Sequence, residues 1–103
     1  MLGREAILKQ IAADRVEPIQ ELVAVDYDNG RQMPVRFRHR GGQYQVEELI
    51  GSFRGPPGCP SILYVVRTAE GAFGLLLDLQ AVRESRHLHR GRWVLHYRVE
   101  ERA

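Results

Sequence analysis

The sequence predicts a mainly β fold of the α+β kind, with one amphipathic helix followed by a strongly bent antiparallel sheet of five to six strands or a small SH3-like barrel. Apolar residues recur at helical spacing near the start, whereas later segments alternate apolar and polar residues as half-buried strands do. Glycine-containing turns separate those later segments at hairpin spacing. The length of 103 residues is typical of one domain, so we expect a single domain over 1–103.

The helix is predicted over residues 4–14. Ile7, Leu8 and Ile11 fall on one face at helical spacing, and Glu5 lies in the first turn, where the helix dipole favours an acid. Pro18 prevents continuation because it lacks a backbone N–H and clashes with the preceding turn. We expect the apolar face to pack on the sheet rather than on a partner, since most such faces are part of a core.

Strands in hairpin succession are predicted to form a β-meander over 19–99. The six predicted strands cover residues 19–27, 35–40, 43–53, 61–68, 72–79 and 92–99. The third strand loses its alternation at Ile50 and Gly51, which predicts a bulge or a strong bend. Gly74 is a second position where the sheet can turn a corner. With two such bends available, we favour the small barrel.

Charge is distributed unevenly along the chain. Residues 34–98 contain ten basic and five acidic residues and all four histidines, whereas residues 1–33 contain four basic and six acidic residues. The basic character therefore lies in the predicted sheet. No apolar run approaches the roughly 20 residues that cross a bilayer, and the lone Cys59 has no internal disulfide partner. We expect a cytoplasmic protein that does not contact a membrane.

Two predicted strands carry basic side chains on their outward faces: Arg36, Arg38 and Arg40 on one, and Arg92, His96 and Arg98 on the other. If these strands adjoin, the side chains form a positive strip that follows a phosphate backbone. Trp93 and Tyr97 are predicted to share the inward face of the last strand, and inward aromatic residues disfavour base stacking. The alternative is a solvated arginine face balanced by nearby acids.

The sequence offers little for metal binding or catalysis. His87 and His89 are weak candidate ligands, because a structural zinc site usually offers two closely spaced ligand pairs and this chain has one. We expect both histidines to be solvated, with no metal and no cofactor bound. No nucleophile, base and oxyanion stabiliser occur at mechanistic spacing, so we do not expect an enzyme.

Four segments resemble a family of small bacterial β-domains: Glu17–Ile19, Pro34–Gly41, Tyr44–Val46 and Gly91–His96. The family plan is E-P-I, then P-V-x-F-x-W-x-G-x-x-Y-x-V, then G-x-W-x-L, and His39 stands where that plan has tryptophan. The resemblance spans roughly residues 17–99 and implies a compact β-domain of unknown biochemical role. Some members are encoded near or joined to Y-family DNA polymerases, so the resemblance favours a DNA-handling partner. It assigns no catalytic residue.

Two functions are consistent with these observations. The leading hypothesis is a non-enzymatic interaction module, either an accessory to DNA-handling proteins or a weak nucleic-acid binder that uses the basic strand faces. The alternative is a protein-binding or homo-oligomeric β-domain, for example a homodimer, that uses a free sheet edge or the N-terminal helix.

Overall fold

The computed structural model describes residues 3–13, 15–58, 60–79 and 92–100. Within those ranges the chain forms one helix and eight strands: α1 (Arg4–Ala12), β1 (Val16–Leu22), β2 (Ala24–Asp28), β3 (Met33–His39), β4 (Gly42–Gln45), β5 (Glu48–Arg54), β6 (Ser61–Thr68), β7 (Gly71–Asp78) and β8 (Arg92–Val99). The prediction of a mainly β fold with a helix at its front is confirmed. No helix in the described ranges is long and apolar enough to span a membrane.

The strands form two antiparallel sheets. The large sheet has the order β1-β8-β7-β6-β5, and the small sheet has the order β2-β3-β4. The chain passes between them over very few residues: Val23 links β1 to β2, and Val46 and Glu47 link β4 to β5. The favoured barrel is therefore wrong, because β1 and β5 lie at opposite edges of an open large sheet and do not pair with each other.

Both faces of the large sheet are covered. On one face, α1 contributes Ile7 to a buried cluster, and on the other, β3 of the small sheet contributes Phe37 to a second cluster. The helix-side cluster is Ile7, Ile50, Val65, Ala72, Tyr97 and Val99. The sheet-side cluster is Phe37, Tyr64, Val66, Phe73, Leu75 and Leu95. Neighbouring residues of β6 lie in opposite clusters, which explains its continuous apolar sequence.

Two predicted strands are each divided between the sheets. The predicted strand 19–27 contains parts of β1 and β2, and the predicted strand 43–53 contains parts of β4 and β5. Periodicity does not reveal these divisions. Each predicted strand continues to direct apolar side chains to the sheet-side cluster after it passes from one sheet to the other. The predicted irregularity in 43–53 is confirmed, since the pairing of β5 with β6 shifts between Leu49 and Gly51. The extra residue, Ile50, reaches the helix-side cluster.

A second bulge changes the face of β8. Leu95 pairs with Leu75 and Tyr97 pairs with the adjacent Gly74, so that His96 is an extra residue in the ladder. Leu95 consequently packs in the sheet-side cluster, whereas Tyr97 packs in the helix-side cluster. The prediction that the inward residues of β8 share one face is wrong for this reason.

Gly74 provides space for the Tyr97 ring rather than a corner in the sheet. A Cβ atom at Gly74 would lie under 3.0 Å from three carbons of that ring, and the backbone of Gly74 is not in the left-handed region. The ring packs directly over the glycine on the helix side of the sheet. The predicted bend at this position is replaced by close packing of an aromatic ring on bare backbone.

The edges of the large sheet are modified in two ways that discourage further pairing. On β5, the Arg4 side chain from α1 donates hydrogen bonds to the carbonyl oxygens of Leu49, at 2.9 Å, and of Ile50. On β1, Pro18 removes a donor, and the pairing with β8 shifts between Pro18 and Glu21. A bulge, a proline and a covering side chain are the common means of protecting an edge strand.

Candidate functional site

The outer face of the small sheet carries two of the predicted arginines. Phe37 is buried against the large sheet, with 1% of its surface exposed, and successive residues of a strand point to opposite faces. Arg36 and Arg38 therefore point outward, and their side chains are 42% and 60% exposed. The predicted alternation of apolar and basic residues in β3 is confirmed.

Glutamines on β4 extend this outward surface. Gln45 pairs with Arg36 and Gln43 pairs with Arg38 across the two strands, and paired residues project from the same face. We call Arg36, Arg38, Gln43 and Gln45 the donor face. Guanidinium and amide groups provide several N–H donors within a small area, so this surface suits a ligand rich in acceptor oxygens.

Asp26 on β2 supplies a carboxylate beside the donor face. Its Oδ2 atom accepts hydrogen bonds from Arg36, at 2.6 Å from Nε and 2.5 Å from Nη2, and its Oδ1 atom is 4.0 Å from Nη2 of Arg38. One carboxylate thus faces two guanidinium groups, which leaves a local excess of positive charge. Exposed ion pairs contribute little free energy, so a phosphate can compete with Asp26 for Arg36.

Arg40 lies beyond β3, in the turn to β4. Its backbone has a φ of 50°, in the left-handed region, and its side chain donates to Glu21 of β1 at 3.1 and 3.2 Å. His39 contacts the other oxygen of Glu21 at 2.8 Å. The His39 hydrogen bond, followed by the bond from Arg40, lowers the pKa of the Glu21 carboxyl below its usual value. This cluster joins the turn of the small sheet to the large sheet.

The three predicted residues of β8 lie in the large sheet, whereas the donor face belongs to the small sheet, and the three do not share one face. Arg92 pairs with Asp78, and Arg98 pairs with Phe73 on the opposite face of the sheet because of the bulge between them. Since a strand rises about 3.3 Å per residue, their backbones are roughly 20 Å apart. His96 lies at the bulge, with Nδ1 2.5 Å from Nε2 of Gln20. A single strip containing all six predicted residues is therefore not formed.

A cleft of about 590 Å³ opens where the two sheets separate, beside the β3–β4 turn. We call it the end cleft, and its lining includes Arg40, Arg98, Tyr44 and Phe73. The Arg98 guanidinium lies 5.7 Å from the centre of the Phe73 ring and donates through Nη2 to the carbonyl oxygen of Glu70 at 2.9 Å. The structure thus brings together Arg40 and Arg98, one from each predicted basic strand.

The glutamines of the donor face and the aromatic lining of the end cleft were not predicted from the sequence. Tyr44 and Phe73 point inward as predicted, and both line the cleft between the two sheets. Alternation about Tyr44 in β4 was a usable signal for Gln43 and Gln45, because it places both on the face that carries the arginines. No periodic pattern indicates where two sheets diverge.

His87 and His89, the weak candidate ligands that were expected to be solvated, lie outside the described residues, as does Cys59. In the part of the chain that the structure describes, no three His, Cys, Asp or Glu side chains are grouped as metal ligands. The histidines that are described, His39 and His96, instead contact Glu21 and Gln20.

Comparison of the chain with protein-family models, with curated proteins and with solved structures found no match.

Proposed function

We propose that the chain is a non-enzymatic interaction module that binds nucleic acid through the phosphate backbone. The observation that carries this proposal is the donor face, where Arg36 and Arg38 of β3 stand beside Gln45 and Gln43 of β4. Among the described residues, their exposed guanidinium groups form ion pairs with one carboxylate, that of Asp26. Arg40 extends the positive charge to the adjoining turn.

This chemistry matches a repeating anion. Arg36 and Arg38 are two residues apart in a strand, which places their backbones about 7 Å apart on one face. Guanidinium groups bind phosphate oxygens through paired hydrogen bonds, and amide side chains also contact phosphates. Such contacts position a nucleic acid without reading its sequence. We therefore expect a strong dependence on salt and little dependence on base order.

The resemblance to a β-domain family associated with DNA polymerases supports the same proposal. It suggests an accessory role in which the module holds DNA close to a DNA-handling protein. Nucleic acid and its processing proteins are inside the cell, so we also propose a cytoplasmic location. Guanidinium and amide groups bind anions but neither attack a substrate nor accept a proton at neutral pH, which is why binding rather than catalysis is proposed.

Fluorescence anisotropy with labelled single- and double-stranded DNA across a series of salt concentrations tests the proposal. We expect binding at low salt and a linear fall of log affinity with log salt concentration. Arg38→Gln should reduce the magnitude of the slope by about 0.9 on duplex DNA, the contribution of one phosphate contact. Arg92→Gln is the matched control, because it removes the same charge from the end of β8 and should leave the slope unchanged.

Two results would contradict a phosphate contact at the donor face. One is the absence of binding at low salt, or binding that does not respond to salt. The other is an equal loss for Arg38→Gln and Arg92→Gln, which would indicate a response to net charge alone. Circular dichroism and thermal unfolding of each variant establish that the fold is retained.

A homodimer that pairs through the small sheet is the second candidate. The edges of the large sheet are protected by Pro18 and by Arg4, whereas β2 and β4 form the edges of the small sheet. Edge strands pair with other chains when their backbone groups are free. Light scattering over a range of protein concentrations tests this candidate: a concentration-dependent dimer supports it, and a monomer throughout rules it out.

A further inference from the structure

We infer that the end cleft receives one unstacked base carrying an exocyclic amino group, taken from a nucleic-acid strand whose backbone lies on the donor face. The inference rests on the proposed function and adds a substrate class, single-stranded nucleic acid with cytosine, adenine or guanine at one position. It is carried by the position of the cleft, its aromatic wall and its mixed charges.

The end cleft begins where the donor face ends. Arg38 is the last outward arginine of β3, and Arg40 in the following turn lines the cleft. Gly41, with a φ of 78°, completes the reversal into β4. A backbone that follows β3 past Arg38 therefore reaches the rim of the cleft at Arg40 and places its next nucleotide over the opening.

The cleft offers a ring on which a base can stack. Tyr44 is half-buried, and its ring lies parallel to Phe37 with centroids 4.8 Å apart and an interplanar angle of 8°. Gly42 leaves space beside the ring, because a Cβ atom there would lie 3.4 Å from Cε2 and 3.5 Å from the hydroxyl of Tyr44. The volume of about 590 Å³ falls within the range of small-molecule sites, and stacking on an aromatic ring tolerates any base.

The cleft carries both positive and negative side chains, which suit the phosphate and the base of a nucleotide respectively. Arg40 and Arg98 are exposed, whereas the lining also includes three glutamates: Glu17, Glu21 and Glu70. Glu21 already binds His39 and Arg40. We expect the carboxylates of the other two residues to repel a phosphate that enters the cleft and to accept hydrogen bonds from the exocyclic amino group of a base, a group that thymine lacks.

Arg98 is preorganised to hold the phosphate at the rim. Its guanidinium rests on Phe73, and Gly71 lies below it with a φ of 131° and no side chain to displace it. One bond to the Glu70 carbonyl oxygen fixes its orientation. In the described part of the chain no carboxylate forms an ion pair with this guanidinium, so its other N–H groups can bind phosphate at little entropic cost.

A duplex cannot use this cleft, because its bases are stacked and paired, and extrusion of one base must first break that stacking and pairing. A single strand presents unstacked bases without that cost. The combination of donor face and end cleft is therefore expected to favour single strands, whereas the donor face alone binds both forms through their phosphates.

Anisotropy with labelled oligo-dC, oligo-dT and duplex DNA at one salt concentration tests the inference. We expect the wild-type protein to bind oligo-dC about tenfold more tightly than oligo-dT, because only cytosine can donate a hydrogen bond from an amino group to a carboxylate, and to bind duplex less tightly than oligo-dC. Gly42→Val, which fills the space in front of Tyr44, should remove this preference and leave duplex affinity unchanged. The double variant Glu17→Gln, Glu70→Gln should raise affinity for all DNA, by removing like charge, and narrow the ratio of oligo-dC to oligo-dT affinity.

The outcomes separate the two proposals. Equal wild-type binding of the three ligands overturns the inference and leaves the phosphate-binding function standing. So does a dC preference that persists in both the Gly42→Val protein and the double variant. Absence of any DNA binding at low salt overturns the proposed function and the inference together. Arg92→Gln serves again as the control and is expected to keep the wild-type preference.

Discussion

The two sheets differ in how much of their surface is buried. The large sheet is covered by α1 on one face and by the small sheet on the other, and side chains in its strand β6 are buried on both faces. The small sheet buries one face only and displays the donor face on the other. Neighbouring residues of β3, Phe37 and Arg38, consequently differ from almost fully buried to 60% exposed.

This difference indicates a division of roles. In the large sheet the two core clusters cover both faces, and its side chains line a ligand surface at the end cleft. In the small sheet every second residue of β3 and β4 is available for contact. We therefore expect substitutions in the buried clusters of the large sheet to change stability, and substitutions on the donor face or in the end cleft to change binding. Variants of both sheets and of the contacts between them test that division, and the largest expected effect is at Phe37.

Phe37→Ala should be the most destabilising of these substitutions, because Phe37 is the small-sheet residue that is buried within the sheet-side cluster. Its ring contacts Tyr44 and Phe73 at 4.8 and 5.4 Å between centroids. We expect a loss of about 4 kcal/mol in the free energy of unfolding, measured by chemical denaturation. Arg38→Ala is the adjacent control and should cost less than about 0.5 kcal/mol. Similar losses for both would contradict the one-sided burial of β3.

Gly74→Ala tests the close packing in the large sheet. The added methyl group overlaps the Tyr97 ring, which is buried, and we expect a loss of about 2 kcal/mol from overpacking. Gly42→Ala is the matched strand glycine of the small sheet, where the new Cβ has ordinary contacts beginning at 3.4 Å. Thermal and chemical unfolding should show little change for Gly42→Ala. An equal loss for both glycines would remove the distinction drawn between the sheets.

Arg4→Ala tests the protection of β5. It removes the hydrogen bonds to the carbonyl oxygens of Leu49 and Ile50, and we expect a loss of about 1 kcal/mol. The exposed edge should also increase association, detectable by light scattering. Lys9→Ala, at an exposed position of the same helix, is the control and should change neither measurement. Unchanged association of Arg4→Ala would show that β5 needs no cover.

The smallest effect concerns the link between the sheets at Glu21. Hydrogen bonds from His39 and then Arg40 lower the pKa of this carboxyl. Its contribution to stability is therefore complete above the unfolded pKa, near 4.5, and is lost as the pH falls through the lower folded value. Unfolding midpoints of the wild-type protein and of Glu21→Gln should differ at neutral pH and converge on acidification. A constant difference down to strongly acidic pH would contradict this link.

The architecture was predictable in class but not in layering. A β-branched apolar run correctly indicated β6, and alternation correctly indicated the extent of β8 and the outward arginines of β3. The loss of alternation near Ile50 correctly indicated a bulge. The division of residues 19–27 and 43–53 between two sheets left no periodic trace, because a strand that leaves one sheet and joins the facing one keeps burying the same kind of side chain. Periodicity indicates which face of a strand is buried, but it does not indicate which other element covers that face.

The candidate site shows the same limit. Arg36 and Arg38 were placed correctly because their surroundings follow from β3 alone. Arg98 was predicted to share a face with Arg92. The extra residue His96 lies between them in the strand and places them on opposite faces of the sheet. The end cleft depends on the separation of two sheets, which is a tertiary property. Tyr44 could be predicted to point inward, but its position at an opening could not.

The bulge at His96 lets the single strand β8 supply side chains to both hydrophobic clusters of the molecule. Before it, Leu95 is directed to one core, and after it, Tyr97 is directed to the other. If His96 instead paired with Gly74, every later residue of β8 would point to the opposite face of the sheet. The Arg98 cation would then be buried beneath the helix, and the Tyr97 ring would leave the helix-side cluster. Leu95 and Tyr97 already occupy consecutive positions of the ladder on opposite faces, and deletion of His96 would keep this arrangement. The fold can therefore dispense with this residue more readily than it can absorb it into regular pairing.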